Sequence, residues 1–500
     1  MASTSSTATA GSSAVDSSSR AHGTDSGPGP QQRTRPGRLL ALVLTGQFMG
    51  VLDAFIVNVA APDIRADLHT SGAVLQLIVA GYTIAYAVLL ITGARLGGRA
   101  GHGRMFLGGL ALFTAASLAC GLAAGPGQLI AFRVAQGTGA GLMMPQVLSL
   151  IQRTFTGTAR TRALGAYAAV LGIGAGAGQI LGGVLVSADL FGTGWRPVFL
   201  INVPVGLVLL AVGRSVLDTR GTDREERPRA LDLPGLVLLA AAVLLFTVPV
   251  VLGQELGWPL WGWGSLALCA VVFTVFAVHE SRLFRRGGSP LLSPLVLRAP
   301  GVPLAMFRIC AMMAVNAGFT FALMLHLQGG LGQSAFRAGL VMLPQCVTFS
   351  VAGMVWRRLP ARTLPLLSPG GFLLAAGCFA ALGAVFADGG DGGAVVYVLT
   401  GLLGVGLSLA FNPVLAGAVA GVRPSEAADA SGLLVTTSQL GLLVGVAAYG
   451  AVFLGRLEAA TGPLAAPRAM ALTCAVLAAG AVAGALGGAV RALLGGSGRP

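Results

Sequence analysis

Two ionisable side chains stand alone inside long apolar runs. Asp53 lies in Val51-Leu52-Asp53-Ala54-Phe55-Ile56-Val57-Asn58, and Arg133 lies in Phe132-Arg133-Val134-Ala135-Gln136-Gly137. A charge within hydrocarbon is expensive, so an ionisable residue placed there marks an ion pair, a water-filled cavity or a proton path. At 1.5 Å rise per residue, Asp53 is about eight residues and Arg133 about six from the same surface, a depth of roughly 9–12 Å for both. Equal depth and opposite charge allow a pair. That pair has two readings: a carboxylate that exchanges a proton beside a mobile arginine, or a static contact that only fixes helix packing. Arg308, with Asn316 two turns further on, either faces a central cavity or extends its head group to the nearer interface. His326 is expected at an interface, and Glu280 at a helix end.

Other chemistry is scarce. The five histidines are scattered, with neither an HExxH spacing nor paired acids beside them, and each of the six cysteines sits singly in an apolar run. This excludes the usual catalytic clusters and predicts no metal site and no disulfide framework. The basic residues are all arginine. Without lysine there is no Walker lysine and no Schiff-base nucleophile, so no nucleotide engine is encoded and no cofactor is expected. Any transport must draw on an ion gradient or be passive.

The elements that carry these residues are membrane helices. Of 500 residues, 55% are hydrophobic and only 10% charged, with a mean hydropathy of +0.81. A soluble domain carries about a quarter charged residues. Apolar runs long enough to cross the bilayer fall at 39–61, 72–96, 105–124, 127–152, 163–188, 197–216, 233–253, 261–280, 301–327, 338–356, 366–387, 393–421, 430–454 and 469–494. The net charge of +14 would suggest nucleic acid in a soluble protein, but the arginines occupy alternate links between these runs. One set of links holds Arg99 and Arg104, Arg153, Arg160 and Arg162, then Arg214, Arg220 and their neighbours up to Arg229. It continues with Arg282, Arg285, Arg286 and Arg298, then Arg357, Arg358 and Arg362, then Arg423. The opposite set holds only Arg65, Arg196, Arg337, Arg456 and Arg468. The positive-inside rule then predicts a multi-pass plasma-membrane protein with both termini cytoplasmic and no nucleic-acid partner.

Punctuation by charge divides the chain further. Residues 1–37, rich in Ser, Thr, Gly and Pro, read as a disordered tail. A six-helix bundle follows over 38–216, a charged link with two extra helices over 217–300, a second six-helix bundle over 301–494, and a short tail over 495–500. Two six-helix halves around a midplane site are a common transporter plan. In the fifth run, Gly174, Gly178 and Gly182 share one helix face and allow another helix to approach closely.

With these segments assembled, the chain resembles the major facilitator superfamily, in particular its fourteen-span drug:proton antiporters, over about residues 39–494. Leu52-Asp53 with Ile56-Val57-Asn58-Val59-Ala60 and Pro62 resembles that branch's first-span motif, and Arg133 with Gln136-Gly137, Gly139 and Met144-Pro145 its fourth-span motif. The glycine run of the fifth span, and Trp195-Arg196 followed by Phe199 to Gly206, match in kind. The resemblance implies an all-α fold of two six-helix bundles with two extra helices between them, rocking in alternating access as a monomer. It implies a small amphipathic substrate, a drug, antibiotic or secondary metabolite, exported against inward proton flow, with Asp53 and Arg133 in the coupling. Uptake or facilitated diffusion of a nutrient is the alternative. Asn58, Gln136, Pro145, the three glycines, Gln179, Arg308 and Asn316 are the conformational or cavity candidates, and Arg95, Arg99 and Arg104 form a gating link. The sequence departs from the family twice. Gly98 replaces an expected aspartate in that link, and Gln179 stands where proline is usual, able to hydrogen-bond towards the cavity.

Overall fold

The computed structural model describes residues 36–217, 230–292, 294–420, 422, 427–459, 462 and 464–487. The expected tails, apart from Pro36 and Gly37, and most of the charged link at 218–229 lie outside the described residues. Long helices form α1 (Pro36–Asp67), α2 (Gly72–Ala100), α3 (His102–Gly121), α4 (Pro126–Thr154), α5 (Gly157–Ser187), α6 (Pro197–Val216) and α7 (Leu233–Glu255). They continue with α8 (Leu260–Arg285), α9 (Val302–Leu325), α10 (Ala335–Val355), α11 (Leu364–Ala387), α12 (Gly393–Ala420), α13 (Ala427–Ala459) and α14 (Ala465–Leu486). Among the described residues, 13 helices are long and apolar enough to cross a membrane. The remaining one, α4, has 29 residues and packs along α2 and α3, but it carries Arg133, Gln136 and Gln146 on its buried side.

Several helices outrun the apolar segments read from sequence. The run at 39–61 becomes Pro36–Asp67, and 430–454 becomes Ala427–Ala459. Hydropathy marks only the part that lipid or core must cover, whereas the hydrogen-bond ladder continues into polar residues until a cap stops it. Ser71 caps α2 through Val74 N–H at 3.3 Å, Ser334 caps α10 through Arg337 N–H at 3.3 Å, and Pro126 opens α4. The helix ends are therefore not flush, and Asp53 is further from the end of α1 than the apolar run suggested.

The two halves repeat one pairing scheme. In α1–α6, α1 packs on α5 and α6, α2 on α4, and α3 on α4 and α6. In α9–α14, α9 packs on α13 and α14, α10 on α12, and α11 on α12 and α14. The halves meet through α5 against α10 and through α2 against α13, which are equivalent positions exchanged. The inserted pair, α7 and α8, stays together, and α7 fills the seam between α2 and α13, with Leu239 and Val243 beside Val88 and Leu443.

Polar contacts between the halves gather at the arginine-poor end. Gln328 donates to Val59 O at 2.9 Å, Ser187 Oγ accepts from Phe336 N–H at 3.1 Å, and Arg65 pairs with Glu458 at 3.6 Å. His326 is buried there against the edge of Phe386 at 4.8 Å, not at an interface as its place near a span end suggested. The helix widens there into a five-residue π turn, His326–Gly330.

Glycine sets the spacing of α5. A Cβ on Gly178 would lie 2.8 Å from Leu52 O and 3.1 Å from Phe55 Cβ of α1. Gly178→Val is expected to lower stability by about 1–3 kcal/mol through overpacking, while Gly165→Ala, with nothing within 4 Å, costs nothing. Thermal unfolding of the detergent-purified protein checks both; equal melting temperatures for the two variants would contradict this packing.

Candidate functional site

Asp53 and Arg133 do meet, at the centre of the first half. Arg133 Nη1 lies 2.7 Å from Asp53 Oδ2, and the two side chains are 1% and 0% exposed. Two further donors reach the other carboxylate oxygen: Gln136 Nε2 and Asn202 Nδ2, each 2.8 Å from Oδ1. All three partners donate. A protonated carboxyl would carry a hydrogen of its own, so the arrangement is built around the ionised form.

Arg133 is held from several sides. Its Nη1 also donates to Gln136 Oε1 at 2.6 Å and its Nε to Ile78 O at 3.4 Å. The guanidinium lies 4.5 Å from the centre of the Tyr82 ring and 5.6 Å from that of Phe199, so aromatic faces replace part of its lost hydration. Gln136 has a fixed orientation, because Nε2 also donates to Ser117 Oγ at 2.8 Å. Reversed, its carbonyl would face the Asp53 carboxylate. The network thus draws one group or more from each of α1, α2, α3, α4 and α6.

Local sequence explains how these helices converge. Gly137 and Gly141 let α4 lie against the backbone of α2, since a Cβ on Gly137 would meet Tyr82 O at 2.2 Å. Tyr82 in turn donates to Gly50 O of α1 at 3.2 Å. Trp195 Nε1 and Arg196 Nη1 both donate to Asp67 Oδ2, at 2.9 and 3.0 Å, and tie the start of α6 to the end of α1. The α6 helix breaks at Ile201, where Pro204 removes the N–H that Leu200 O would have accepted from. Asn202 sits just past this break. It was quoted in the sequence only as part of a motif, and Ser117 not at all; single short polar residues in apolar helices carry no period that would reveal them.

The other candidates separate. Asn58 is half-buried on α1, outside this network, and Pro145 is half-buried in α4 beside Gln146, whose Nε2 donates to Gly93 O at 2.8 Å. Gly174, Gly178 and Gly182 all face α1, inside their own half. The contact with α10 belongs to glycines not singled out before: Gly172 beside Ser350, Gly176 beside Cys346 and Gly183 against Ala335 O. Gln179 is 2% exposed, and its Oε1 meets no donor among the described residues. Its backbone oxygen lies instead against Gly339.

In the second half, Asn316 Oδ1 accepts from Gln345 Nε2 at 2.8 Å, joining α9 to α10. Arg308 lines a cavity of about 230 Å³ between the arginine-rich ends of α9, α11 and α12, with Gly301, Ser368 and Pro413. That cavity lies within the second half, not between the two. The expected gating link also divides. Arg95 donates to the carbonyls of Ala230 at 3.1 Å, Ser289 at 2.7 Å and Pro290, whereas Arg99 and Arg104 are exposed. Gly98 is buried, and its chain neighbour Gly97 lies against the pair in which His102 Nδ1 bonds Gln146 Oε1 at 2.8 Å.

Removing one member of a buried ion pair strands the other. Arg133→Ala is expected to cost about 3–5 kcal/mol, and adding Asp53→Asn to it should restore part of that loss. A double-mutant cycle of unfolding free energies measures the coupling; strictly additive losses would deny it.

A sequence model of the Major Facilitator Superfamily matches residues 43–446. The chain is 39% identical over 446 residues to the probable actinorhodin transporter of Streptomyces coelicolor, covering 87% of this chain and 75% of that protein. It is 37% identical over 434 residues to the cephamycin export protein of Amycolatopsis lactamdurans, covering 82% and 83%. The methylenomycin A resistance protein of Streptomyces coelicolor is 34% identical over 417 residues, covering 83% and 85%. Among solved structures, a bacterial homologue of the human lysosomal transporter Spinster, in an inward-facing and occupied conformation, aligns with a TM-score of 0.63. It is 17% identical, with coverage of 93% of this chain and 99% of that one, and shares the fold. This protein therefore belongs to the major facilitator superfamily, as a multi-pass membrane transporter of small molecules and not an enzyme.

Proposed function

We propose that this protein exports an amphipathic small molecule, an antibiotic or related secondary metabolite, in exchange for protons entering the cell. The observation that carries the reading is the fully buried Asp53 carboxylate with its three donors. Uptake of one proton cancels the charge that Arg133, Gln136 and Asn202 are arranged to hold. Arg133 then keeps Gln136 Oε1 and Ile78 O as acceptors, and a network spanning five helices changes its strongest contact. That is how a proton can bias one arrangement of the half over another.

The names of the relatives, an actinorhodin transporter, a cephamycin exporter and a methylenomycin resistance protein, support the substrate class. The arginine bias supports a plasma-membrane orientation with the arginine-rich end in the cytoplasm. In that orientation the polar contacts between the halves close the outer side. Alternating access then follows from breaking Arg65–Glu458 and the contacts beside it while the halves rock about α5–α10 and α2–α13. The protein acts here as a monomer, with the proton gradient as its energy source and no cofactor.

Inverted membrane vesicles with an imposed proton gradient test this. Substrate accumulation is expected to collapse with the gradient, and Asp53→Asn is expected to abolish gradient-driven accumulation while the protein remains folded and inserted. Accumulation indifferent to the gradient would sink proton antiport, and full coupling in the Asp53→Asn variant would move the proton elsewhere.

A further inference from the structure

A second pair of acids lies where the inserted helices join the halves. Asp232 caps the start of α7: its Oδ1 accepts from Gly235 N–H at 2.9 Å and lies 2.8 Å from His279 Nε2 of α8. On α8, Glu280 Oε2 accepts from Leu292 N–H at 2.7 Å, in the link that leads to α9. One oxygen of each carboxyl is thus satisfied. The others, Asp232 Oδ2 and Glu280 Oε1, are buried and meet no donor among the described residues. The residues are only 6% and 3% exposed.

Both orphan oxygens face one small space. A Cβ on Gly235 would lie 2.3 Å from Asp232 Oδ2 and 2.7 Å from Glu280 Oε1, so only glycine fits beneath them. Two ionised carboxylates in this space would repel each other and leave two buried acceptors unsatisfied. One proton between them removes both penalties, as in other carboxyl dyads. One ligand atom from each of Asp232, His279 and Glu280 lies within 4.8 Å of the others, a spacing that a metal ion could also use, so the test below includes one.

We propose that Asp232 and Glu280 form a second proton-binding site, in which one proton held between Asp232 Oδ2 and Glu280 Oε1 clamps the α7–α8 pair to the link into α9. Among the described residues, the charged and titratable groups facing the pair are His279 from α8 and Arg95 from α2, and the link contributes the Leu292 N–H. Arg95 holds the carbonyls of Ala230, Ser289 and Pro290 on either side, so the clamp also reaches the first half. Asp232 lies just outside the α7 span. Burial opposes its ionisation, but a hydrogen bond from a protonated Glu280, with those of the Gly235 N–H and His279, outweighs this and holds its carboxyl below the ordinary range. That makes it the charged member, with the proton on Glu280. Arg95 and Ile78, which serves the Asp53 network, are 17 residues apart on α2, or about 25 Å along the helix, so the two sites are separate.

The test uses the purified full chain in detergent and reads stability against pH, without any transport step. Loss of the shared proton creates a buried like-charge pair, so stability should be present at low pH and lost as pH rises. The wild-type melting temperature is expected to fall by about 2–4 °C between about pH 6 and about pH 9. Glu280→Gln supplies a permanent donor to Asp232 Oδ2 and should abolish that fall, and Asp232→Asn should do the same. A carboxylic-acid carbonyl band in the wild-type infrared spectrum should be absent from Glu280→Gln. Equal pH slopes in all three proteins, or no difference in that band, would overturn the proposal. So would a rise in wild-type melting temperature on adding zinc or manganese that Glu280→Gln lacks, since a metal would then occupy the space. Failure of proton antiport in vesicles leaves these readouts unaffected.

Discussion

Burying an ionised carboxylate in an apolar helix bundle is the constraint on which the first half depends. Asp53 needs a cation and two further donors, and no single helix can supply them. Arg133 and Gln136 come from α4, Asn202 from α6, and the aromatic cover from Tyr82 and Phe199. Each of these helices must come within hydrogen-bonding range of α1 or of a neighbour that touches it. The close approaches at Gly137 and Gly141, the tie from Trp195 and Arg196 to Asp67, and the break before Asn202 all serve that need. Packing among small residues brings the helices together, and the carboxylate makes that register the satisfied one.

The two halves share a pairing scheme but not this chemistry. Where α1 carries Asp53, the equivalent region of α9 carries Asn316, answered by the neutral amide of Gln345. A neutral pair costs far less to bury and does not titrate near neutral pH. Among the described residues the buried carboxylate–arginine pair thus lies in the first half, while the second presents amides and the cavity beside Arg308.

The sequence made the Asp53–Arg133 pair legible because a lone charge in an apolar run is a strong physical anomaly, and the two anomalies lay at one depth. The helix count was legible for a similar reason, since apolar length and arginine alternation are independent signals. Helix rotation was not legible. Hydropathy does not say which way a membrane helix turns, so Gly174, Gly178 and Gly182 gave a correct close-packing face whose partner, α1, only the structure identified. Asn202 and Ser117 stayed hidden because a single amide or hydroxyl barely alters the apolar pattern. Asp232 and Glu280 stayed hidden because the contact joins a helix start to a helix end across the whole of the inserted pair.

The α5 helix shows what this geometry implies for motion. One set of its glycines presses on α1, and another, at Gly172, Gly176 and Gly183, faces α10 across the boundary between halves. Small residues let the two backbones approach closely, and a Cβ on Gly183 would lie 2.7 Å from Ala335 O. The α1 side also carries Asp53, whose network ties α1 to the rest of its half. The α5 helix therefore joins the half that holds Asp53 to the contact with α10 in the other half. The buried, unpaired Gln179 Oε1 lies on the same helix as that face, and a polar atom left unsatisfied in one arrangement favours any other that gives it a donor. With Gln179 where the related motif has proline, α5 runs as one continuous helix from Gly157 to Ser187, past both its contact with α1 and its contact with α10.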